Sequence, residues 1–238
     1  MQCVILAGGR GSRLGPLTET RPKALVEVAG RPFLEYQLEL LRRSGVREVV
    51  LCVGYLGAEV EQTIGDGSRL GLSVQYSFDG SQPLGTAGAV RNALPLLDES
   101  FLVTYGDTLL TVDHSAVARA HASSGLPALM TVLENENRYA PSNAVVEGEL
   151  VVAYRKNPPP QQARWIDYGL LAFQRAAIEH SDADLEPVLA KLADERRLAA
   201  YAVDERFYEI GDEAGLAEAT RFVRTSPRFT NLRPEGTS

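Results

Sequence analysis

The chain has 238 residues, of which 45% are hydrophobic and 23% are charged, with a formal net charge of −7. This composition is that of an ordinary globular protein, and the length suits one large α/β domain better than two. The acidic balance argues against a nucleic-acid partner, and no apolar run reaches the roughly 20 residues of a membrane span. The short apolar start lacks a basic n-region, and Cys3 and Cys52 lie inside predicted strands. Buried thiols and a cytoplasmic location are therefore expected.

The first half of the chain alternates strands with helices. Residues 2–7 are an apolar run that ends in glycine, which predicts a strand buried on both faces. Apolar residues at helical spacing then predict a helix at 32–44. The other elements of this half follow in order: strand 48–53, helix 58–64, strand 72–77, a helix that opens at Gln82 and runs towards Leu94, strand 101–104, a helix capped by Asp113, and strand 128–132. This alternation is typical of a doubly wound sheet.

The second half mixes hairpin and helical patterns. Its elements follow in order: a hairpin at 144–152, a loop at 157–160, strand 165–173, helix 185–193, strand 198–203 and helix 213–223. No internal repeat or linker divides the chain. We therefore expect one Rossmann-like α/β domain at 1–225, with a mixed, mostly parallel central sheet and helices on both sides. The polar stretch 226–238 is expected to be a loosely held tail.

A glycine-rich loop follows the first strand. Residues 8–14 read G-G-R-G-S-R-L, residues 16–18 read P-L-T, and residues 22–25 read P-K-A-L. Glycines at the carboxyl end of a strand let backbone N–H groups approach phosphate oxygens, because no Cβ stands in the way. Arg13 and Lys23 follow within reach of an anion held there. The stretch therefore indicates phosphate binding.

Two familiar phosphate loops do not fit this stretch. The P-loop pattern is absent, since no Gly-Lys-Ser/Thr follows. The dinucleotide fingerprint lacks its third glycine, because Leu14 stands there, and no acidic residue closes the second strand at Val53. An NAD-dependent reductase is therefore excluded.

The complete pattern, G-G-x-G-S-R-L-x-P-L-T followed by P-K-x-L, resembles the signature of the sugar-1-phosphate nucleotidyltransferases. The resemblance runs from Met1 to about Val223, with Ser12 where threonine is commoner. It implies attack of a sugar-1-phosphate oxygen on the α-phosphorus of a nucleoside triphosphate, with release of pyrophosphate. Because that nucleophile is already an anion, such a site needs cations, backbone amides and a metal rather than a general base.

The resemblance also implies the roles of two stretches that contact the nucleotide. Arg13 would neutralise the leaving pyrophosphate, and Lys23 would contact the phosphate where charge develops. Gly85 and Gly88 would let a helix start lie flat against the base, and Gln82 offers it a donor and an acceptor. The implied nucleotide contacts are Leu6, Ala7, Gly8, Gly9, Gly11, Ser12 and Arg13 in the first stretch, and Gln82, Pro83, Gly85, Thr86 and Ala87 in the second.

Two carboxylates are candidate magnesium ligands. Asp107 ends the fourth strand in Tyr-Gly-Asp, where open α/β sheets bind ligands, and it resembles the magnesium ligand of the family. Glu209 stands where the family usually has aspartate and is the implied second ligand. Asp107, with Arg13 and Lys23, completes the implied catalytic set. Asp212 is expected to cap the helix that follows it.

The sugar-phosphate side of the resemblance is less regular. Lys156 matches the lysine that contacts the sugar phosphate, but Arg155 stands where glutamate is usual. Asp167 and Gly169 lie in a stretch where relatives have I-N-A-G, and in those relatives this stretch binds the sugar hydroxyl groups. Aspartate in place of asparagine keeps the acceptors and removes the donors. Both departures concern which sugar binds.

Residues 32–89 look nearest to the heptose-1-phosphate and mannose-1-phosphate guanylyltransferases, so GTP is the expected nucleotide and a heptose or hexose 1-phosphate the expected partner substrate. An enzyme that uses UTP, dTTP or CTP remains an alternative. So does a non-catalytic regulatory subunit that binds nucleotide sugars, although such a protein would be expected to have lost Arg13, Lys23 or Asp107. The sequence leaves the sugar, its anomer and a possible homo-oligomer open.

Overall fold

A computed structural model describes residues 1–181 and 183–232 of the chain. The strands are β1 (Gln2–Leu6), β2 (Glu27–Val28), β3 (Arg31–Pro32), β4 (Glu48–Val53), β5 (Ser73–Phe78), β6 (Ser100–Tyr105), β7 (Thr108–Leu109), β8 (Ala128–Glu134), β9 (Ala144–Glu147), β10 (Leu150–Tyr154), β11 (Trp165–Gln174), β12 (Leu198–Val203) and β13 (Tyr208–Glu209). The helices are α1 (Phe33–Arg43), α2 (Gly57–Ile64), α3 (Thr86–Ala93), α4 (His114–Ser124), α5 (Leu185–Asp194) and α6 (Glu213–Thr225). Most bounds lie within one or two residues of the expected ones.

The central sheet has nine strands in the order β5-β4-β1-β6-β11-β8-β12-β10-β9. Strands β5, β4, β1 and β6 pair in parallel, as do β8 and β12. The remaining neighbours pair antiparallel, so β10 and β11 run against the other seven strands. The expected α/β fold with a mixed central sheet is confirmed. The sheet is not mostly parallel as expected, because four of its eight described pairs of neighbours are parallel and four are antiparallel.

Helices cover both faces of this sheet. Helices α1, α2 and α4 pack on one face, through side chains such as Leu38, Val60 and Val117. Helices α3 and α5 pack on the other face, through side chains such as Val90 and Leu189. Because both faces are covered, the inner strands are apolar throughout rather than alternating. Within the described ranges, none of the helices combines the length and apolar character needed to cross a bilayer.

The stretch expected to be a loose tail is partly packed. Residues Pro227–Leu232 form a 3-10 helix, and the side chain of Phe229 is fully buried. Its ring meets Tyr36 of α1 edge to face, with 5.4 Å between ring centroids. The expectation of a loosely held segment is therefore wrong for this part, because an aromatic anchor fixes it. Residues 233–238 of that predicted tail lie outside the described residues.

Other differences are local. The helix expected to open at Gln82 begins at Thr86, because the residues before it, through Gly85, are not helical. Two small sheets of two-residue strands, β2 with β3 and β7 with β13, were not expected. The carboxyl ends of β1, β4, β5 and β6 meet at one edge of the central sheet, because these strands are parallel. The candidate site lies there.

Candidate active site

A cavity of about 290 Å³ opens at the carboxyl ends of β1, β5 and β6. Lys23 and Asp107 line it, together with Tyr105 and Asp79. The expected nucleotide contacts that line this cavity, called here the first cavity, are Leu6, Ala7, Gly8, Gly9, Pro83, Gly85 and Thr86. The structure thus brings together two stretches that are far apart in the sequence.

A second cavity of about 290 Å³ adjoins the first and holds the expected sugar-phosphate side. Tyr105 and Asp107 line both cavities. The expected residues that line the second cavity are Asp107, Lys156, Asp167, Gly169 and Glu209. Two binding spaces therefore meet at one carboxylate, which is the arrangement that a transfer between two bound substrates requires.

Lys23 and Asp107 form a close ion pair where the cavities meet. Lys23 Nζ lies 2.6 Å from Asp107 Oδ2, and the lysine side chain is only 11% exposed. Gly11 lies against the stem of this lysine, since a Cβ at Gly11 would stand 3.0–3.1 Å from three of its carbons. Gly11 also has φ +65, a conformation that other residues rarely adopt. Glycine at this position therefore makes room for Lys23 rather than lining a cavity.

Arg13 and Glu209 form a looser pair beside the first one. Arg13 Nη2 lies 3.6 Å from Glu209 Oε1, and the arginine side chain is 70% exposed. Glu209 reaches the site because its strand β13 pairs with β7, which places it opposite Thr108. Burial and then the nearby charge of Asp107 raise the pKa of Glu209, whereas Lys23 and Arg13 oppose this shift. Two carboxylates thus face two cations.

The donor set suits magnesium. Carboxylate oxygens are hard ligands, and magnesium takes few of them because it completes its shell with phosphate oxygens and water. Burial is the larger cause of the raised pKa of Glu209, and a cation between Asp107 and Glu209 would offset the repulsion that adds to it. Residues 1–181 and 183–232 contain no group of three or more His, Cys, Asp and Glu side chains that could hold a metal. The pair is therefore a partial shell that a phosphate would have to complete.

Asp167 is held firmly at the wall of the second cavity. Its Oδ1 accepts a hydrogen bond from the N–H of Gly169 at 3.0 Å, and its Oδ2 accepts one from Tyr154 Oη at 3.1 Å. Burial raises the pKa of Asp167, and the charge of Lys156 opposes the rise. Lys156 Nζ lies 5.5 Å from the centroid of the Tyr105 ring. The wall therefore combines one ammonium group with a fixed carboxyl group.

The entry of α3 packs closely against residue 183. The backbone N–H groups of Ala87 and Gly88 donate to Ala183 O at 2.8 and 3.0 Å, so another part of the chain occupies them. A Cβ at Gly85 would stand 2.4 Å from that same oxygen, and Gly85 has φ +76. Close approach of residue 183 therefore requires glycine at 85, which also lines the first cavity.

Five of the expected contacts line neither cavity. Arg13 is exposed beside Glu209, and Gln82 is exposed on the approach to α3. The five expected contacts outside both cavities are Gly11, Ser12, Arg13, Gln82 and Ala87. By contrast, the expected helix cap by Asp212 is confirmed, because its carboxylate accepts from Gly215 N at 2.8 Å.

Asp79 is a site residue that the sequence interpretation missed. It follows β5 and lines the first cavity. Its Oδ2 lies 3.1 Å from where a Cβ of Gly8 would stand and 3.0 Å from that position at Gly54. Burial raises its pKa, and a hydrogen bond from the backbone of Leu84 opposes the rise. Its position after a parallel strand could have identified it, but Asp79-Gly80 also reads as a turn.

Comparison with known proteins gives the family. The model of the family described as "Nucleotidyl transferase" matches residues 2–222. An N-acetylmuramate alpha-1-phosphate uridylyltransferase of Neisseria meningitidis is 42% identical over 52% of this chain, and the match spans 54% of that relative's length. A mannose-1-phosphate guanylyltransferase of Mycobacterium tuberculosis is 30% identical over 99% of this chain and 69% of its own.

A solved structure repeats the fold. HddC from Yersinia pseudotuberculosis, complexed with GMP-PN, has a TM-score of 0.76 at 24% identity and covers 92% of this chain and 98% of its own. At this identity the likeness concerns the fold alone. Because the family model spans nearly the whole sequence, the chain belongs to the nucleotidyl transferase family, and the two relatives named above are sugar-1-phosphate nucleotidyltransferases.

Proposed function

We propose that this chain transfers a nucleotidyl group from a nucleoside triphosphate, with GTP as the first choice, to a heptose or hexose 1-phosphate, giving a nucleotide sugar and pyrophosphate. The observation that carries the proposal is the junction of two cavities at Asp107, beside Lys23. One cavity has glycine-rich walls suited to a nucleotide, and the other has Lys156 and Asp167 suited to a sugar phosphate. The relatives support the reaction type and differ in their nucleotide.

The residues at the junction would act by placing and stabilising charge. Backbone N–H groups of Gly8 and Gly9 would hold phosphate oxygens, because no side chain blocks their approach. Lys23 would stabilise the negative charge that develops on the transferred phosphoryl group. Arg13, which is exposed beside Glu209, would turn to the leaving pyrophosphate, for which its planar fork is suited.

Asp107 and Glu209 would hold magnesium, which when bound supplies positive charge to the phosphates of the substrates. Both carboxylates are paired with Lys23 and Arg13 in the free protein. The same two cations are the proposed phosphate contacts. Binding of a triphosphate together with its metal would therefore exchange partners without leaving a buried charge alone.

Lys156 would contact the phosphate of the sugar 1-phosphate, which brings its nucleophilic oxygen to the α-phosphorus. Asp167 would accept hydrogen bonds from sugar hydroxyl groups, since its two bonds to Tyr154 and Gly169 fix its orientation. A carboxylate has four acceptor positions, so lone pairs remain for a ligand. This wall would therefore favour a sugar that offers hydroxyl donors.

Asp79 supports GTP as the first choice. Its carboxylate lies in the first cavity, near Gly8 and Gly54. The Watson–Crick edge of guanine presents two neighbouring donors, N1–H and N2–H₂, which one carboxylate can accept together. Uracil and thymine present a single N–H between two carbonyl oxygens, which a carboxylate repels. A bond to a charged group contributes about 1.5–3 kcal/mol, which corresponds to roughly 10- to 100-fold in preference.

A turnover screen tests the reaction. The purified protein with Mg²⁺ is given GTP, UTP, dTTP or CTP against a panel of sugar 1-phosphates, and pyrophosphate release is measured. We expect release with at least one pair and the highest kcat/KM with GTP. No release with any pair would refute nucleotidyl transfer, whereas a pyrimidine preference would refute only the choice of guanine.

Two variants test which residue reads the base. We expect Asp79→Asn to lower kcat/KM for GTP by roughly 10- to 100-fold and to change kcat/KM for UTP much less. Because Gln82 is exposed and lies outside the first cavity, we expect Gln82→Glu to keep the wild-type ratio. A sharpened GTP preference in Gln82→Glu, with no change in Asp79→Asn, would assign base recognition to Gln82 instead.

A further inference from the structure

Gln37 is a polar side chain in the buried part of α1. It is only 5% exposed and has apolar neighbours along the helix such as Leu38 and Leu41. Its Nε2 donates two hydrogen bonds, to Tyr105 O at 2.8 Å and to Thr108 O at 2.7 Å. These carbonyl groups stand immediately before and after Gly106-Asp107. One side-chain amide therefore spans the turn that carries Asp107.

Other parts of the chain hold the same turn through backbone atoms. Gly106 N donates to Leu6 O at 2.9 Å, and Ile210 N donates to Asp107 O at 2.9 Å. The turn is thus fixed by β1 on one side and by the segment after β13 on another. The contact from α1 is made by Gln37 through its side chain, so one substitution can remove it.

The orientation of the Gln37 amide points to a role beyond filling space. Its Oε1 is buried and has no hydrogen-bond partner in the described part of the chain. A methionine or leucine would fill a similar volume and would leave no buried oxygen unpaired. The flipped amide would place Oε1 against two carbonyl oxygens, which repel it. The residue therefore keeps two donors on the turn although its acceptor stays unpaired.

We propose that Gln37 is a positioning residue for Asp107: it fixes the carbonyl groups on both sides of the turn, so that the carboxylate stays at the junction of the two cavities. The proposal rests on the proposed role of Asp107 and adds a residue that contacts neither substrate. A displacement of a reacting group by about 1 Å can cost on the order of 100-fold in rate, so loss of these bonds should lower kcat.

The test compares Gln37→Met with Tyr36→Phe. Tyr36 neighbours Gln37 on α1, is fully buried, and donates to Val28 O at 3.0 Å. Each variant removes buried hydrogen bonds from one helix, but the bond of Tyr36 goes to β2 rather than to the turn. We expect Gln37→Met to lower kcat by roughly 10-fold or more while KM for both substrates changes by less than about 3-fold. Tyr36→Phe should keep the wild-type kcat.

Hydrogen exchange supplies a readout that does not depend on turnover. We expect amide deuterium uptake in residues 105–110 to rise in Gln37→Met and to stay at the wild-type level in Tyr36→Phe. Gln37→Asn retains an amide on a shorter side chain and should give an intermediate kcat, which keeps the test open if Gln37→Met does not fold.

The outcomes separate this proposal from the proposed function. If Gln37→Met or Gln37→Asn has the kcat and the uptake of Tyr36→Phe, Gln37 is only structural and the proposal is overturned. If wild-type protein has no turnover but uptake still rises only in the Gln37 variants, the proposed function fails while the positioning of the turn stands. Uptake that rises equally in Tyr36→Phe would mean a general loss of helix packing and would also overturn it.

Discussion

Replacing Lys23 with methionine removes the cation between the two cavities and keeps most of the side-chain volume. Lys23 Nζ lies 2.6 Å from Asp107 Oδ2, and the side chains are 11% and 28% exposed. Loss of a group that stabilises developing charge costs roughly 100- to 1,000-fold in kcat, or about 3–4 kcal/mol. We therefore expect kcat of Lys23→Met to fall by at least about 100-fold, measured as pyrophosphate release.

The same substitution should also reduce stability, which sequence reasoning did not suggest. Removing one partner of a fully buried ion pair costs about 3–5 kcal/mol. Because water reaches Asp107, we expect a smaller loss in the free energy of unfolding, about 1–3 kcal/mol in urea denaturation. Arg13→Met is the matched comparison, since Arg13 is 70% exposed and should lose activity with little change in stability.

A second substitution separates the two effects. In the Lys23→Met background, Asp107→Asn removes the carboxylate that was left without its partner, so stability should return towards wild type while turnover stays lost. A Lys23→Met protein with kcat within about 3-fold of wild type would refute its proposed role at the phosphate. Unchanged stability in Lys23→Met, with no recovery in the double variant, would refute the energetic importance of the ion pair.

Three further predictions concern other parts of the structure. Asp107→Asn and Glu209→Ala should abolish magnesium-dependent turnover and Glu209→Asp should retain it; full activity of Glu209→Ala would mean that this carboxylate is structural. Gly85→Ala should raise KM for the triphosphate and lower stability by more than Gly125→Ala, because both glycines have positive φ but only Gly85 would bring a Cβ to 2.4 Å from a backbone oxygen. If Gly85→Ala and Gly125→Ala lose the same stability in unfolding assays and change KM for the triphosphate equally, the contact with that oxygen is not the cause. Stability should fall as the pH drops below 6.5, because burial lowers the pKa of His114 in the folded chain.

Local signals explain why most of the fold could be predicted. Leu34, Leu38 and Leu41 recur at helical spacing and all three side chains are buried, which matches α1. Asp113 was expected as a cap, and its carboxylate accepts hydrogen bonds from two N–H groups of the first turn of α4. Strand β4 occupies the expected residues 48–53 because an apolar run there lies between a glycine stop and Gly54. Each of these patterns lies within about a dozen residues.

Contacts between distant residues explain what the sequence left out. Glu209 meets Asp107 through β7 and β13, whose two-residue length is too short for any hydrophobic period. Ala183 approaches the entry of α3 from almost 100 residues away, so the close contact that requires glycine at 85 could not be predicted. Phe229 lies in a polar stretch and is buried because it packs against the rings of Tyr36 and Phe222. These features depend on tertiary packing, which single-sequence patterns do not encode.

His114, like His121, is a buried histidine whose pKa is lowered by burial, and it contributes to the pH dependence of stability. It is 3% exposed, and its Nδ1 lies 3.1 Å from Ser44 Oγ. Burial lowers the pKa of His114 from 6.5 to about 4, although the charge of Asp113 and a backbone hydrogen bond at Val112 oppose the shift. The unfolded chain therefore binds a proton at this histidine more readily than the folded chain does.

The sign of the effect follows from that difference. Above the unfolded pKa of His114 both states are neutral there, and stability is full; as pH falls from 6.5 to about 4, the unfolded state gains a proton first and stability is lost. The shift corresponds to about 3 kcal/mol once pH reaches 4. Urea denaturation from pH 8 to 4.5 measures it, with His114→Gln and with the exposed His180→Gln as control. We expect the decline to be smaller in His114→Gln and unchanged in His180→Gln. Parallel curves for wild type and His114→Gln would show that the decline comes from other groups, because the substituted protein has no imidazole left to protonate at that position.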